Sequence, residues 1–370
     1  MTKPAHSTLA RLTLFGPLPL PYGGVAIHVS RLYGLLRERG FDVQLAALGW
    51  PGVETETLHR LPDQRWLRPI SLARLARIAE RGGVVHNHTA FAAYPTRLSL
   101  GLLLSTCRLA GLRRIETLHS QSILERYPAL PAHERRMFLE AMTTAERVIA
   151  IGGPLREFLL GLGVPDSRIV VGSPLLPADE APGELEQQHG AFFAAHSPIW
   201  VTIGAMVPLY DFATIAEAFV RYREQEANAG LVVISAGFVH DGVYERRLRS
   251  LIADVAGDVV ILTDVPANEV AAMLRRASIV IRGPRSESFG LSRAEGAMAG
   301  VPVVATNTGI TDFMTLYSHG DPRSLADAVQ RALRTTPETR AEAAAFYTNL
   351  AATNVGAVLS VYDELGIRGA

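Results

Sequence analysis

One cysteine, Cys107, is present in 370 residues, so the chain can close no intramolecular disulfide and build no cysteine-rich metal site. A reducing, cytoplasmic setting is the expectation. Net charge is also missing, because 36 basic side chains balance 36 acidic ones. That balance removes the usual electrostatic reason for binding nucleic acid. No apolar run approaches the roughly 18 residues of a membrane span. The prolines and Arg11 within "LARLTLFGPLPLP" interrupt any signal-like core near the start. There is no Asp-x-Asp cluster to hold a metal at a phosphate, no short internal repeat and no low-complexity tract.

What the sequence does have is alternation. Short apolar runs at 11–15, 42–48, 83–88, 114–119 and 147–152 read as strands, and the segments 25–39, 69–81, 91–110, 131–145 and 153–161 between them read as helices. A Pro-, Gly- and acid-rich stretch over 168–190 follows, and then the pattern restarts. The second series has strands at 199–204, 231–236, 258–262, 278–282 and 301–306, with helices at 211–227, 243–255, 266–276 and 290–299. Such a chain exceeds the size at which one core keeps growing. The expected fold is α/β, with two doubly wound, Rossmann-like domains at 1–176 and 177–345 and a final helix, 346–370, crossing back to the first domain. Open α/β sheets bind ligands at the carboxyl ends of their strands, so a cleft between two such domains is the expected place for chemistry.

The segment "RSESFGLSRAEGAMAGVPVV" (285–304) sets Glu287 and Glu295 on either side of Phe289-Gly290-Leu291. A helix beginning near Gly290 would expose backbone N–H groups and a positive dipole end, a ready cradle for phosphate. One carboxylate would then meet sugar hydroxyls and the other the ribose. Taken alone, the pair reads more simply, as a cap formed by Ser286, Glu287 or Ser288 and a favourable first-turn Glu295.

In its wider context the segment resembles the Glu-x7-Glu signature of the family 4 glycosyltransferases, retaining enzymes of the GT-B fold. The upstream "LVVISAG" and "VVILTDVPANEVAAMLRRASIVIRGPRSES" resemble the elements that precede it. The resemblance implies an N-terminal acceptor domain and a C-terminal donor-nucleotide domain. It assigns Glu287 to the donor sugar, Glu295 to the ribose, and Ser288, Phe289, Gly290 and Leu291 to sugar or phosphate. Gly23 and Gly24, in the first strand-to-helix turn, would face donor phosphate and acceptor. His119, ending "IETLH", would lie beside the transferred sugar, with His86 and His88 either shaping the acceptor side or packing locally. The implied partners are a nucleotide-sugar donor and a glycan, lipid-linked or small-molecule acceptor, with no cofactor and no metal. "HNH" at 86–88 puts two histidines on one strand face, but no third ligand is apparent nearby.

The pattern breaks at "VTIGAMVPLYDFATIAEAF" (201–219). Gly204 is kept, while Ala205 replaces the family's clamp arginine, Tyr210 its lysine and Asp211 the glycine that follows. Cations that strengthen their grip on a leaving diphosphate contribute several kcal/mol. Their loss leaves three explanations: compensation by Arg282, Arg285 or Arg293; a donor without a diphosphate; or a binding protein without transfer activity. The interdomain turn "VVGSPLLP" also departs from the family. Finally, "QRWLRPISLARLARIAERGG" (64–83) is a basic amphipathic pattern, compatible either with a peripheral membrane contact or with a surface helix whose leucines face a sheet.

Overall fold

The computed structural model describes residues 11–20, 22–48, 55–61, 68–80, 83–88, 97–175, 177 and 183–369. The chain divides into two compact units. One comprises Met1–Leu18, His28–Leu176 and Thr353–Ala370, the other Pro19–Ile27 and Pro177–Ala352.

The first unit is built on strands β1 (Leu12–Pro17), β2 (Val43–Leu48), β3 (Leu58–Leu61), β4 (Val84–Asn87), β5 (Arg113–Leu118), β6 (Arg147–Ile151) and β7 (Ile169–Gly172). They form one parallel sheet in the order β3-β2-β1-β4-β5-β6-β7. Helices α1 (Gly24–Glu38), α2 (Arg68–Ala79), α3 (Arg97–Ala110), α4 (Ser122–Arg126), α5 (Ala132–Thr144) and α6 (Gly153–Gly161) connect them. Buried parallel strands carry near-continuous apolar runs, and Leu12, Leu14, Val84, Val85, Ile115, Val148 and Ile149 are all buried. Leu72, Leu75 and Ala79 of α2 join Phe15, Val85 and Leu103 in the core. Leu72 and Leu75 of the basic amphipathic segment therefore serve packing, and its residues 64–67 and 81–82 lie outside the described set.

The second unit holds α7 (Gln187–Ala195), β8 (Ile199–Met206), α8 (Phe212–Arg223), β9 (Gly230–His240), α9 (Gly242–Leu251), β10 (Val259–Thr263), α10 (Ala267–Arg276), β11 (Ile279–Arg282), α11 (Leu291–Met298), β12 (Val303–Thr306), β13 (Thr315–Tyr317) and α12 (Pro322–Ala332). Its parallel sheet runs β10-β9-β8-β11-β12-β13. Trp200, Phe212, Phe219, Ile279 and Ile281 anchor the core. A single helix, α13 (Pro337–Glu364), follows. Among the described residues no helix is long and apolar enough to cross a membrane.

Three strands escape the sequence pattern. β3 is four residues long and alternates with His59 and Arg60 at the sheet edge. β7 lies inside the stretch that reads as linker, and β13 has only three residues. Each sheet reverses its strand order once at its centre, between β1 and β4 in the first and between β8 and β11 in the second. Such switch points open crevices at the strand carboxyl ends, and both are occupied by chemistry-bearing side chains.

Candidate functional site

At the second unit's switch point, β11 ends at Arg282 and the loop 283–290 leads into α11. Gly290 caps that helix in the left-handed region, φ +91° and ψ +61°. A non-glycine residue is strained there, and an added Cβ would meet the Arg293 side chain at 2.8 Å. The earliest bond at the helix start runs from Arg293 N–H to Gly290 C=O, 2.9 Å. The amides of Gly290, Leu291 and Ser292 thus precede the hydrogen-bonded turns and are available to an anion. The loop is pinned by Ile310 N–H on Phe289 C=O at 2.9 Å and by Arg285 N–H on Leu209 C=O at 3.0 Å. Ser288, Phe289 and Leu291 are half-buried, as is Glu295 one turn into the helix.

Arg282 and Glu287 are joined directly. Nε and Nη2 of the guanidinium donate to the same carboxylate oxygen, Oε2, at 2.9 and 2.6 Å. Nη1 donates to Ile203 C=O on β8, and the guanidinium carbon lies 4.5 Å from the centre of the Tyr210 ring. Burial is the largest single influence on Arg282 and favours its neutral form, but the attraction and hydrogen bonding of Glu287 and Tyr210 together outweigh it and move the pKa upward. The other carboxylate oxygen of Glu287 has no partner among the described residues.

Tyr210 also explains Gly204, because a Cβ at 204 would sit 2.7 Å from the tyrosine Cγ. The close approach at Gly204 is made by the protein's own aromatic ring. Asp211 takes the left-handed backbone at φ +55°, a conformation that aspartate tolerates better than most residues. Its carboxylate accepts from Thr214 Oγ1 at 2.8 Å, His319 Nδ1 at 3.0 Å and Gly320 N–H at 3.1 Å.

The three arginines considered as replacement cations part company. Arg285 is exposed and its guanidinium has no partner among the described residues. Arg293 is fully buried. Its Nη1 reaches the carbonyls of Thr308 and Ile310, and Nη2 reaches Arg282 C=O and the hydroxyls of Thr306 and Thr308. Burial brings its pKa down to about 10. Arg293 therefore ties α11 to the segment 306–310, and of the three candidate cations it is the one whose guanidinium is taken up by the protein's own carbonyls and hydroxyls. Arg282 holds the remaining position, on the Ile203 carbonyl and against the Tyr210 ring.

The first unit fills its switch point with imidazoles. His86 and His88 project from one face of β4, their ring centroids 3.9 Å apart. Asn87, on the other face, donates to Glu116 Oε2 at 2.6 Å. His86 bonds Tyr362 OH through Nδ1 and Thr117 Oγ1 through Nε2, both at 2.7 Å. His119, just past β5, places Nε2 3.3 Å from His88 Nδ1. His28, on α1, holds Pro174 C=O through Nδ1 at 2.9 Å, and its ring centroid lies 5.3 Å from that of His88 and 5.0 Å from that of His119. All four rings are buried, and desolvation lowers all four pKa values, that of His28 to about 4. They are neutral near pH 7. Gly23 and Gly24 open α1, with Ile27 N–H on Gly23 C=O at 2.9 Å and nothing within 4 Å of a Cβ added at Gly24. Sequence reasoning missed His28, which has the appearance of an ordinary amphipathic-helix residue. Its only signal is a polar ring on the helix stripe shared with Leu32 and Leu35.

Both sheets belong to the GT-B fold of glycosyltransferases. Residues 22–174 match the family model described as Glycosyltransferase Family 4, and residues 197–335 match Glycosyl transferases group 1. Over 96 residues the chain is 38% identical to D-inositol 3-phosphate glycosyltransferase of Pseudarthrobacter chlorophenolicus, a match that spans 25% of this chain and 22% of that protein. Among solved structures, Anabaena HepE in complex with UDP and glucose aligns with a TM-score of 0.73 at 14% identity, over 95% of this chain and 100% of its own. The UDP-forming α,α-trehalose-phosphate synthase of Burkholderia xenovorans, in complex with glucose-6-phosphate, also reaches 0.73, at 13% identity over 96% and 100%.

Proposed function

We propose that this chain is a retaining glycosyltransferase that takes a preformed nucleotide-sugar and passes its sugar to a hydroxyl of a glycan, lipid-linked or small-molecule acceptor. The observation that supports this reading best is Arg282. Positions 205 and 210 have lost their cations, yet a guanidinium from the adjacent strand β11 stands between the Ile203 carbonyl and the Tyr210 ring, next to the retained Gly204. In this reading the donor phosphates lie against the amides of Gly290 to Ser292, where a helix dipole favours negative charge, with Arg282 and the exposed Arg285 at hand. The unpartnered oxygen of Glu287 takes a sugar hydroxyl and Glu295 takes the ribose. The bond from the anomeric carbon to the phosphate oxygen breaks, a bond from that carbon to the acceptor oxygen forms on the same face, and the acceptor proton leaves on the phosphate. No cofactor is assigned to this step. The role of His119 at the sugar rests on the family resemblance.

Calorimetric titration with UMP, UDP, CDP and GDP tests the reading. Diphosphate binding that is lost in Glu295→Ala is the expected result, and the absence of any nucleotide binding would overturn it. A second reading, a donor with one phosphate, is favoured by one observation: Glu287 already neutralises Arg282, so the site offers a second phosphate less charge than a two-cation clamp. Preference for UMP over the diphosphates would establish that alternative.

A further inference from the structure

We propose that His28, His88 and His119 form a binding site for a divalent transition metal of the zinc class, with one imidazole nitrogen from each and a fourth position left to solvent or an anion. The inference goes beyond the transfer reading and does not depend on it. One nitrogen can be chosen from each ring so that all three lie within 4.8 Å of one another. Two ligands of a tetrahedral ion with bonds of about 2.0–2.1 Å are separated by about 3.3–3.4 Å, and His88 Nδ1 and His119 Nε2 already stand 3.3 Å apart. The third ring needs at most a shift on the order of 1.5 Å to close the set.

The hydrogen bonding of the cluster fits a ligand set better than a purely structural one. His28 commits Nδ1 to the Pro174 carbonyl, which leaves the Nε2 lone pair as its ligand atom. A ring N–H held by a backbone carbonyl is the usual outer partner of a metal-bound histidine. As a structural cluster the group is poorly settled, because the His88–His119 contact is longer than a normal N–H hydrogen bond. His86 is excluded as a ligand, since both of its nitrogens are already engaged; it serves as a platform for the His88 ring. Three neutral ligands leave the full charge of the ion in place, so hydroxide or an anionic group is the favoured fourth ligand. The location fits as well: His88 follows β4 and His28 lies on the helix after β1, the two strands that flank the switch point.

The test is a Co2+ titration of the metal-stripped full-length chain, read by visible absorption. One equivalent should produce the intense d–d bands of a four-coordinate ion, and Zn2+ should abolish them. X-ray absorption of the Zn2+-loaded wild-type chain should show a shell near 2.0–2.1 Å with imidazole scattering from about three rings, a readout that needs no variant. His28→Gln and His88→Gln should each weaken binding by about 100-fold or more. Absence of the bands in wild type, or bands that persist unchanged in His88→Gln, would overturn the proposal.

Discussion

The two switch points are built on the same plan and filled by opposite means. In the first unit, ionisable rings are buried by giving up their charge, and four neighbouring histidines are neutral because water is excluded. In the second unit, charge is kept and paired, with Arg282 on Glu287 and Arg293 on a ring of carbonyls and hydroxyls. Burying a neutral imidazole costs little at pH 7 but makes the site sensitive to acid. Burying an ion pair is insensitive to modest pH change, but it makes each partner hostage to the other. The contrast teaches that retention of a fold's crevice does not fix how the crevice handles charge.

The largest effect that would break this contrast is removal of one half of the pair. Glu287→Ala leaves Arg282 largely buried and unneutralised, at a cost of about 3–5 kcal/mol, and it should abolish sugar transfer. Glu287→Gln, which keeps the shape and one acceptor, should lose transfer with a smaller stability penalty. Urea unfolding followed through Trp200 reports the second unit's core and separates the two variants. Full turnover by either variant would remove Glu287 from the chemistry.

Acid should act on the other region. His28 titrates near 6.5 when unfolded and near 4 when folded, so between those values the unfolded chain binds more protons. Its stabilising contribution is therefore complete above about pH 6.5 and falls as pH drops toward 4, by about 3 kcal/mol. The other three histidines act in the same direction. Hydrogen exchange across 84–88 and 113–119 should accelerate over this window while 199–206 stays protected. Equal acceleration in both sheets would erase the distinction.

Smaller effects sharpen it. Tyr210→Ala removes the ring over Arg282 and the packing on Gly204, an expected loss of about 2 kcal/mol, whereas Tyr210→Phe should change stability by about 0.5 kcal/mol or less. Thermal denaturation of the pair checks whether the ring face or the hydroxyl matters. Least of all, Arg285→Ala should leave stability within about 0.5 kcal/mol and weaken nucleotide binding several-fold by calorimetry. No change in binding would leave Arg282 and the helix amides as the whole of the phosphate site.

The alternation of apolar runs and helical periods made most of both sheets legible, because buried parallel strands such as Ile199–Met206 must be apolar almost throughout. Edge strands carry no such requirement, which is why Leu58–Leu61 and Thr315–Tyr317 were invisible. Ile169–Gly172 was masked by the prolines and acids that follow it. At the site, nearness in sequence grouped Arg282, Arg285 and Arg293 as possible cations by the phosphate loop, but it could not separate the one paired with Glu287 from the one buried among carbonyls. The small residues around it in "SRAEGAMAG" were the available clue, since a helix that small on every side is usually packed on every side. The histidine cluster depends on partners far apart in the chain. Tyr362 and His86 are 276 positions apart, and no local pattern encodes that meeting.

The aromatic lid over Arg282 also bears on engineering. A lysine introduced at 210 would set a second cation against a guanidinium already stripped of water, and an arginine introduced at 205 would add a third. Either single substitution is thus expected to harm the protein. A site with two cations at 205 and 210 calls for a simultaneous change at 282, so the three positions must be altered as a block or left alone.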